Sequence, residues 1–256
     1  MRTNPVKKTL REGGTTIGTW LGLPDPFVAY HMAGVGFDWL NVDLEHSPIN
    51  IETAALMFQA IAQAGGVPLA RVPWASGENV KRVLDAGAWG VIYPMQNTRQ
   101  EVEDAVSWAK YPPRGCRSMG GSLHAMSFGA SGSDYFNRAK DETLVVIQIE
   151  HIDAVGRLDD LLSVPDIDAV FIGPNDLGAS MGLAPGAYVT DPEFAAAVDE
   201  IRKACERHGV APGLHVFSPE DAVRRQKEGF RFLALCSETR FMTAGAREAL
   251  SKARSL

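Results

Sequence analysis

TLVVIQIEH, residues Thr143–His151, is the stretch from which the rest of the chain can be read. It opens as an unbroken apolar run, Leu144-Val145-Val146-Ile147, of the kind that a strand covered on both faces requires. At its far end stand Gln148 and Glu150. Strand side chains alternate with period two, so both polar groups share the face of Leu144 and Val146. An amide and a carboxylate buried at a strand end cost free energy unless something binds them. The stretch therefore predicts a ligand at the carboxyl end of a buried strand.

Strand-like and helical segments alternate on both sides of it. Upstream lie Thr16–Leu21 with a helix over about 27–33, Phe37–Asp43 with Ile51–Ala64, Pro68–Val72 with Glu78–Ala86, and Gly90–Pro94 with Thr98–Lys110. Downstream, a helix over about 153–162 precedes Asp168–Ile172 with Pro192–His208, Val210–His215 with Pro219–Glu228, and Phe230–Leu235 with a terminal helix. A strand-then-helix unit recurs eight times along the chain. That rhythm predicts an α/β fold, a closed (β/α)8 TIM barrel forming a single domain over 1–256, rather than an open doubly wound sheet. One segment breaks the rhythm. Tyr111–Asp134, rich in Gly and Ser, reads as a long loop between the fourth helix and the fifth strand. It enters strand five at the bottom of the barrel, so it must double back if it is to cover the top.

Composition narrows the partners. With 45% hydrophobic and 22% charged residues among 256, the chain has an ordinary globular make-up. A net charge of −6 disfavours nucleic acid, and the lack of an apolar run of about 18 residues predicts no membrane span. The opening MRTNPVKKTLREGG is basic without an apolar core, so no secretion signal is expected. Cys116, Cys205 and Cys236 are odd in number and lack C-x-x-C spacing, which fits reduced thiols in a cytoplasmic protein.

Active sites of such barrels lie at the carboxyl ends of the strands. There the sequence places Asp43-Leu-Glu45-His46, Arg71 at the parity of Leu69, Pro94-Met95, Gln148 and Glu150, Gly173-Pro-Asn-Asp176, His215 and Cys236-Ser237. Acid, base, cation and amide gather at one rim, which points to catalysis. Glu150 and Asp176, from adjacent strands, suit a hard octahedral cation such as Mg2+ or Mn2+, with positions open for substrate and water. The competing role for Asp176 is the N-cap of a turn beginning near Leu177. Zinc is disfavoured, because no H-E-x-x-H or cysteine cluster exists. His46 is the base candidate; its competing reading is a surface histidine before a proline turn. Arg71 would stabilise oxyanion charge, a role compatible with an ion pair to Asp43 or Glu45. His31, His124, His151 and His208 receive no role, and His215 stays open.

What is missing also discriminates. Schiff-base aldol chemistry needs a lysine on a barrel strand. The eight lysines (7, 8, 81, 110, 140, 203, 227 and 252) all fall in the N-terminal segment or in predicted helices and loops. No G-x-G-x-x-G, Walker loop or G-x-S-x-G occurs, which argues against nucleotide cofactors and serine hydrolysis.

Five motifs, taken in order, resemble the HpcH/HpaI aldolase family of class II pyruvate aldolases. They are G-F-D-W-L-x-x-D-x-E-H-x-P (Gly36–Pro48), the arginine of PLARV, V-L-D-x-G-A (Val83–Ala88), the Gln-x-Glu of strand five and F-I-G-P-x-D-L (Phe171–Leu177). The likeness runs from about Gly18 to Ala234. It implies that Glu150 and Asp176 bind a divalent ion (Mg2+ or Mn2+, possibly Co2+). Gln148 and the backbone around Asn175 and Asp176 would hold the pyruvyl part, with Trp20 and Gly173 also in the substrate site. His46 would accept the proton, directly or through a metal-bound water, and Arg71 would stabilise the enolate and the aldehyde oxygen. Asp85 would reach the His46 of a neighbouring subunit in a hexameric assembly. The implied reaction makes or cleaves 4-hydroxy-2-oxo acids, giving pyruvate and an aldehyde. An oxaloacetate decarboxylase or a macrophomate-synthase-like catalyst is the alternative within enzymes, and a non-catalytic keto-acid-binding barrel is the alternative outside them. Around Arg114–Ser122 the chain reads Gly115-Cys-Arg117-Ser118-Met119-Gly120 in place of a more usual Arg-Gly pair, which leaves the aldehyde open.

Overall fold

Side-chain alternation along eight short strands gives the protein two apolar layers, one inside a closed ring and one outside it. In the computed structural model, which describes residues 1–255, the ring is β1 (Thr16–Leu21), β2 (Trp39–Asp43), β3 (Val67–Arg71), β4 (Gly90–Tyr93), β5 (Leu144–Ile149), β6 (Ala169–Ile172), β7 (Ala211–Val216) and β8 (Phe232–Ser237). The strands pair in sequence order, all parallel, and β8 closes on β1. Val145, Ile147 and Ile149 of β5 face outward among the helices, while Leu144 and Val146 face into the ring. Inside, Trp39 stacks on Phe232 with ring centroids 4.3 Å apart. A Cβ at Gly18 would overlap the Trp39 ring, so glycine is required there. Each large side chain so buried is worth about 1.5–3 kcal/mol.

Helices cover the outside. α1 (Pro5–Arg11) precedes the ring; α2 (Pro26–Gly34), α3 (Ile51–Gln63), α4 (Gly77–Ala86) and α5 (Arg99–Ala109) follow the first four strands. Between α5 and β5 lie α6 (Leu123–Ser127) and α7 (Gly132–Glu142). Then come α8 (Ile152–Val155) and α9 (Leu158–Leu162) after β5, α10 (Pro174–Ser180) and α11 (Pro192–His208) after β6, α12 (Pro219–Lys227) after β7, and α13 (Glu238–Ser255) after β8. Residues 240–255 of α13 are exposed. No helix among the described residues is long and apolar enough to cross a membrane.

Three expectations change. The helix expected over 153–162 is two, because Gly156 caps α8 and the chain restarts at Leu158; glycine is a poor interior helix residue. Two further helices, α1 and α10, went unread although each has proline in its first turn, and Asn4 caps the first by accepting from the Val6 and Lys7 N–H groups. Of the expected long loop at 111–134, residues 111–122 lie outside any helix or strand, whereas α6 and the start of α7 occupy much of the rest. Its start is tied to the end of α5, since the Cys116 N–H donates to Ser107 O at 2.9 Å and the Arg117 N–H to Lys110 O at 3.0 Å. It then closes the bottom of the barrel together with α1, where Trp89 stacks on Phe128 at 4.0 Å.

Candidate active site

β2 and β3 run in register so that Asp43 lies opposite Arg71. Their side chains meet as a bidentate pair, with Arg71 Nε donating to Asp43 Oδ1 at 2.9 Å and Nη2 to Oδ2 at 2.6 Å. Nη1 lies 3.1 Å from Glu45. The guanidinium carbon sits 4.4 Å above the Trp20 ring, which β1 carries into the same opening. Asp43 Oδ1 also accepts from the Glu45 and His46 N–H groups. One carboxylate thus orients both the fork of Arg71 and the turn that carries His46. The imidazole of His46 is exposed at the mouth, 3.8 Å from Glu45.

β5 brings its two polar groups to the same end. Gln148 Nε2 donates to Glu150 Oε2 at 2.6 Å, while the Met95 N–H donates to Glu150 Oε1 at 2.9 Å. Met95 holds φ at +53° to do so, an uncommon conformation for a residue with a side chain. The side-chain amide oxygen of Gln148, Oε1, is buried and has no partner. A Cβ at Gly173 would overlap Glu150 Oε2, so the residue that ends β6 must be glycine for that carboxylate to stand where it does. Burial pushes the Glu150 carboxyl up to about 7, with the Asp176 and Glu45 charges acting in the same direction. Burial also raises the Glu45 carboxyl, against the pull of Arg71.

Asp176 does not take the capping role that its sequence position offered. Gly173, not Asp176, is the N-cap of α10, and the Asp176 carboxylate accepts no hydrogen bond. It stands in the first helical turn, facing the same opening as Asn175 and Gly173. That opening is a cavity of about 210 Å³ bounded also by Trp20, Arg71, His46 and Gln148.

All but one of the site residues expected from sequence thus converge at the carboxyl ends of the strands. Asp85 does not. It lies in the last turn of α4, at the opposite end of the barrel, where Arg117 Nη2 donates to it at 2.6 Å. The sequence reading gave no separate role to Asp43, to the Met95 N–H or to the walls at Phe171 and Phe217. Asp43 had a signal, since it ends its strand level with Arg71. The Met95 N–H had none, because a backbone donor carries no residue code.

Comparison with known proteins follows the same lines. Residues 16–244 match the family model described as HpcH/HpaI aldolase/citrate lyase. A protein of Salmonella paratyphi C (strain RKS4594) named 4-hydroxy-2-oxo-heptane-1,7-dioate aldolase is 38% identical over 248 residues, 97% of this chain and 93% of that protein. A crystal structure of an HpcH/HpaI aldolase/citrate lyase family protein from Burkholderia cenocepacia J2315 superposes with a TM-score of 0.91 at 31% identity, covering 98% of this chain and all of that one. An HpcH/HpaI aldolase from Desulfitobacterium hafniense DCB-2 gives 0.90 at 27% identity, covering 98% and 96%. With a closed eight-stranded barrel, a polar rim in the matching motifs and this degree of kinship, the chain belongs to the HpcH/HpaI aldolase/citrate lyase family and is an enzyme, a carbon–carbon lyase.

Proposed function

We propose that the protein is a divalent-metal-dependent aldolase that makes or cleaves 4-hydroxy-2-oxo acids, with pyruvate as one product of cleavage and an aldehyde as the other. One observation carries this reading. A buried Glu150, pushed up to about 7 and hydrogen-bonded by Gln148, stands beside a small cavity that Gln148, Arg71 and an Asp176 without hydrogen bonds line.

The surroundings of the two carboxylates fit a hard cation. Both crowd negative charge into a site where the Met95 N–H and Arg71 oppose the rise of Glu150 without cancelling it, and a bound cation would offset that cost. Among the described residues no group of three or more His, Cys, Asp or Glu side chains is placed to hold a metal. The protein therefore offers two anionic oxygen donors and leaves the remaining positions to water and substrate, as Mg2+ and Mn2+ tolerate. When bound, such an ion supplies Lewis acidity to the substrate ketone.

The side chains divide the remaining work. Gln148, Trp20 and the segment Gly173–Asp176 hold the pyruvyl part, the unpartnered Gln148 oxygen being among the groups a ligand would satisfy. In synthesis His46 takes a proton from the pyruvate methyl group, and the resulting enolate carbon attacks the aldehyde carbon. The new alkoxide recovers the proton from the imidazolium. Cleavage runs the same steps backward, with the bonding pair returning to the enolate. Arg71, held rigid by Asp43 and Glu45, faces the oxygen on which negative charge grows, where a preorganised donor acts most strongly. In the assembly we propose, a homo-oligomer and most simply a hexamer, Asp85 of one subunit reaches the His46 of its neighbour. The cytoplasm is the compartment this reading favours.

The test is pyruvate release from 4-hydroxy-2-oxoheptanedioate after chelation and re-addition of single divalent ions, with oxaloacetate decarboxylation assayed beside it. Turnover restored by Mg2+ or Mn2+ is expected. No restoration by any ion, or decarboxylation without aldol cleavage, removes the proposal.

A further inference from the structure

One polar side chain of the cavity has no part in the reading above. His215 stands near the end of β7 on the inward face, since Leu214 and Val216 on either side of it pack outward among the helices. It bounds the same opening as Arg71, Gln148 and Asp176. Two rings flank it, Trp20 with centroids 6.4 Å apart and Phe217 with centroids 4.6 Å apart. Both also line the cavity, and with Phe171 they give it a wall of ring carbon.

The nitrogens of His215 are left without partners. Its side chain makes no hydrogen bond among the described residues. It is no third ligand beside Glu150 and Asp176 either, because no set of three His, Cys, Asp or Glu side chains among the described residues is placed to hold a metal. Burial, reinforced by the charges of Arg71 and Arg240, holds the imidazole down to about 4. The ring in the cavity is therefore neutral at working pH and offers one donor and one acceptor.

Such a ring suits one kind of substrate group. An alkyl chain against it would leave both nitrogens unpaired and shut off from water, which is costly. A carboxylate only accepts, and a guanidinium serves it better. A hydroxyl donates and accepts, as the neutral ring does. Arg71 and His215 bound one space of about 210 Å³, too small for a long substrate to keep them apart. An aldehyde whose carbonyl oxygen faces Arg71 thus turns the substituent on its next carbon toward His215.

We propose that His215 determines aldehyde specificity by hydrogen-bonding a hydroxyl on the carbon next to the aldehyde group. The enzyme then favours 2-hydroxyaldehydes over unsubstituted aldehydes of equal length, and one enantiomer over the other, since the flanking rings fix where the imidazole stands. This assignment rests on the aldol reading above and names the class of aldehyde that reading left unspecified.

The measurement is kcat/KM in the synthesis direction, with pyruvate and an activating divalent ion, for each enantiomer of 2-hydroxypropanal against propanal. The intrinsic reactivity of the aldehydes is the same for every variant, so the quantity read is the change in each ratio on substitution. His215→Leu should lower the ratio for the preferred enantiomer about five- to tenfold, the size of one neutral hydrogen bond, and narrow the gap between enantiomers. His215→Gln keeps a donor and an acceptor and should hold part of the preference. If the leucine variant misfolds, His215→Met, with a more adaptable side chain, carries the same comparison. Unchanged ratios, or equal losses on all three aldehydes, overturn the proposal, because a ring that only packs would not tell them apart. Deuterium exchange into the methyl group of pyruvate by the wild-type enzyme needs no aldehyde and separates the two failures. Absence of exchange removes the aldol reading and this assignment with it, whereas exchange with unchanged ratios removes His215 alone.

Discussion

The two ends of the barrel each bury one ionisable group that its surroundings drive toward neutral pH. At the carboxyl ends of the strands burial pushes Glu150 up to about 7, and at the amino ends burial and the neighbouring Lys7 push Lys110 down to about 7. They differ in what surrounds them. Lys110 Nζ donates to the backbone oxygens of Lys140 at 2.8 Å and Thr143 at 3.5 Å, in a packed region stacked with aromatic rings. The nearby charges at that end have partners, Lys7 with Asp168 and Arg117 with Asp85. Glu150 instead stands beside a cavity, with an Asp176 that bonds to nothing and a Gln148 oxygen left bare. A displaced pKa by itself marks burial; joined to open space and unspent hydrogen-bonding capacity, it marks a site.

The strongest way to break that contrast is substitution at both ends. Glu150→Ala and Asp176→Ala should each lower ion-dependent turnover by about 10³-fold or more while the thermal transition stays cooperative. Lys110→Met should leave turnover within about threefold of wild type, since it lies away from the cavity. Near-wild-type pyruvate release by either carboxylate variant would refute the division of roles. Next in size is Arg71→Ala, expected to lower kcat by about 10²–10³-fold with little change in KM, because the charge it opposes grows mainly in the transition state. A raised KM at unchanged kcat would make Arg71 a binding residue only.

A third variant tests the closed end. Arg117 is buried between Asp85, to which Nη2 donates, and the Tyr135 hydroxyl, 3.0 Å from Nη1. Arg117→Met removes the partner of Asp85 and should cost about 3 kcal/mol in denaturant unfolding, as broken buried pairs do. An unchanged midpoint would show that Asp85 does not depend on it. Combined with Asp85→Asn, the variant also sharpens the inter-subunit proposal. If Asp85 serves a neighbour's His46, Asp85→Asn should slow turnover and alter its pH profile, which a purely structural pair would not.

How much of this was legible in the sequence follows from the kind of force involved. Burial writes itself as pattern, so LVVI of β5, the parity of Arg71 with Leu69 and the strand-end position of Glu150 led to the ring and its polar rim. Backbone chemistry leaves no such trace. Nothing in the sequence reveals that the Met95 N–H holds Glu150, or that Gly173 is fixed by the space Glu150 occupies. The segment after α5 is a loop only in its first half, for a related reason. Its Gly and Ser content suggested a loop, yet Gly115 is small because Ser107 O and Lys110 O crowd it, and helices follow where Ser131 caps α7.

The last test sees both ends at once. For Glu150 the folded carboxyl holds its proton to about 7 against an ordinary value of 4.5, so between those limits the folded state binds more protons than the unfolded one and stability falls as pH rises. For Lys110 the folded amine gives up its proton near 7 against an ordinary value of 10.5. Above 7 the unfolded state therefore binds more, and stability rises with pH. The two arms should meet in a minimum near neutrality, each with a slope of at most about 1.4 kcal/mol per pH unit. Curves of unfolding free energy against pH for the ion-free wild type, minus those for Glu150→Gln and for Lys110→Met, isolate each arm. Saturating Mg2+ or Mn2+ should abolish the falling arm, since an ion on Glu150 favours its deprotonated form, and should leave the rising arm in place. If the ion flattened both arms, or neither, the separation between an open end that awaits a ligand and a closed end that is already satisfied would not hold.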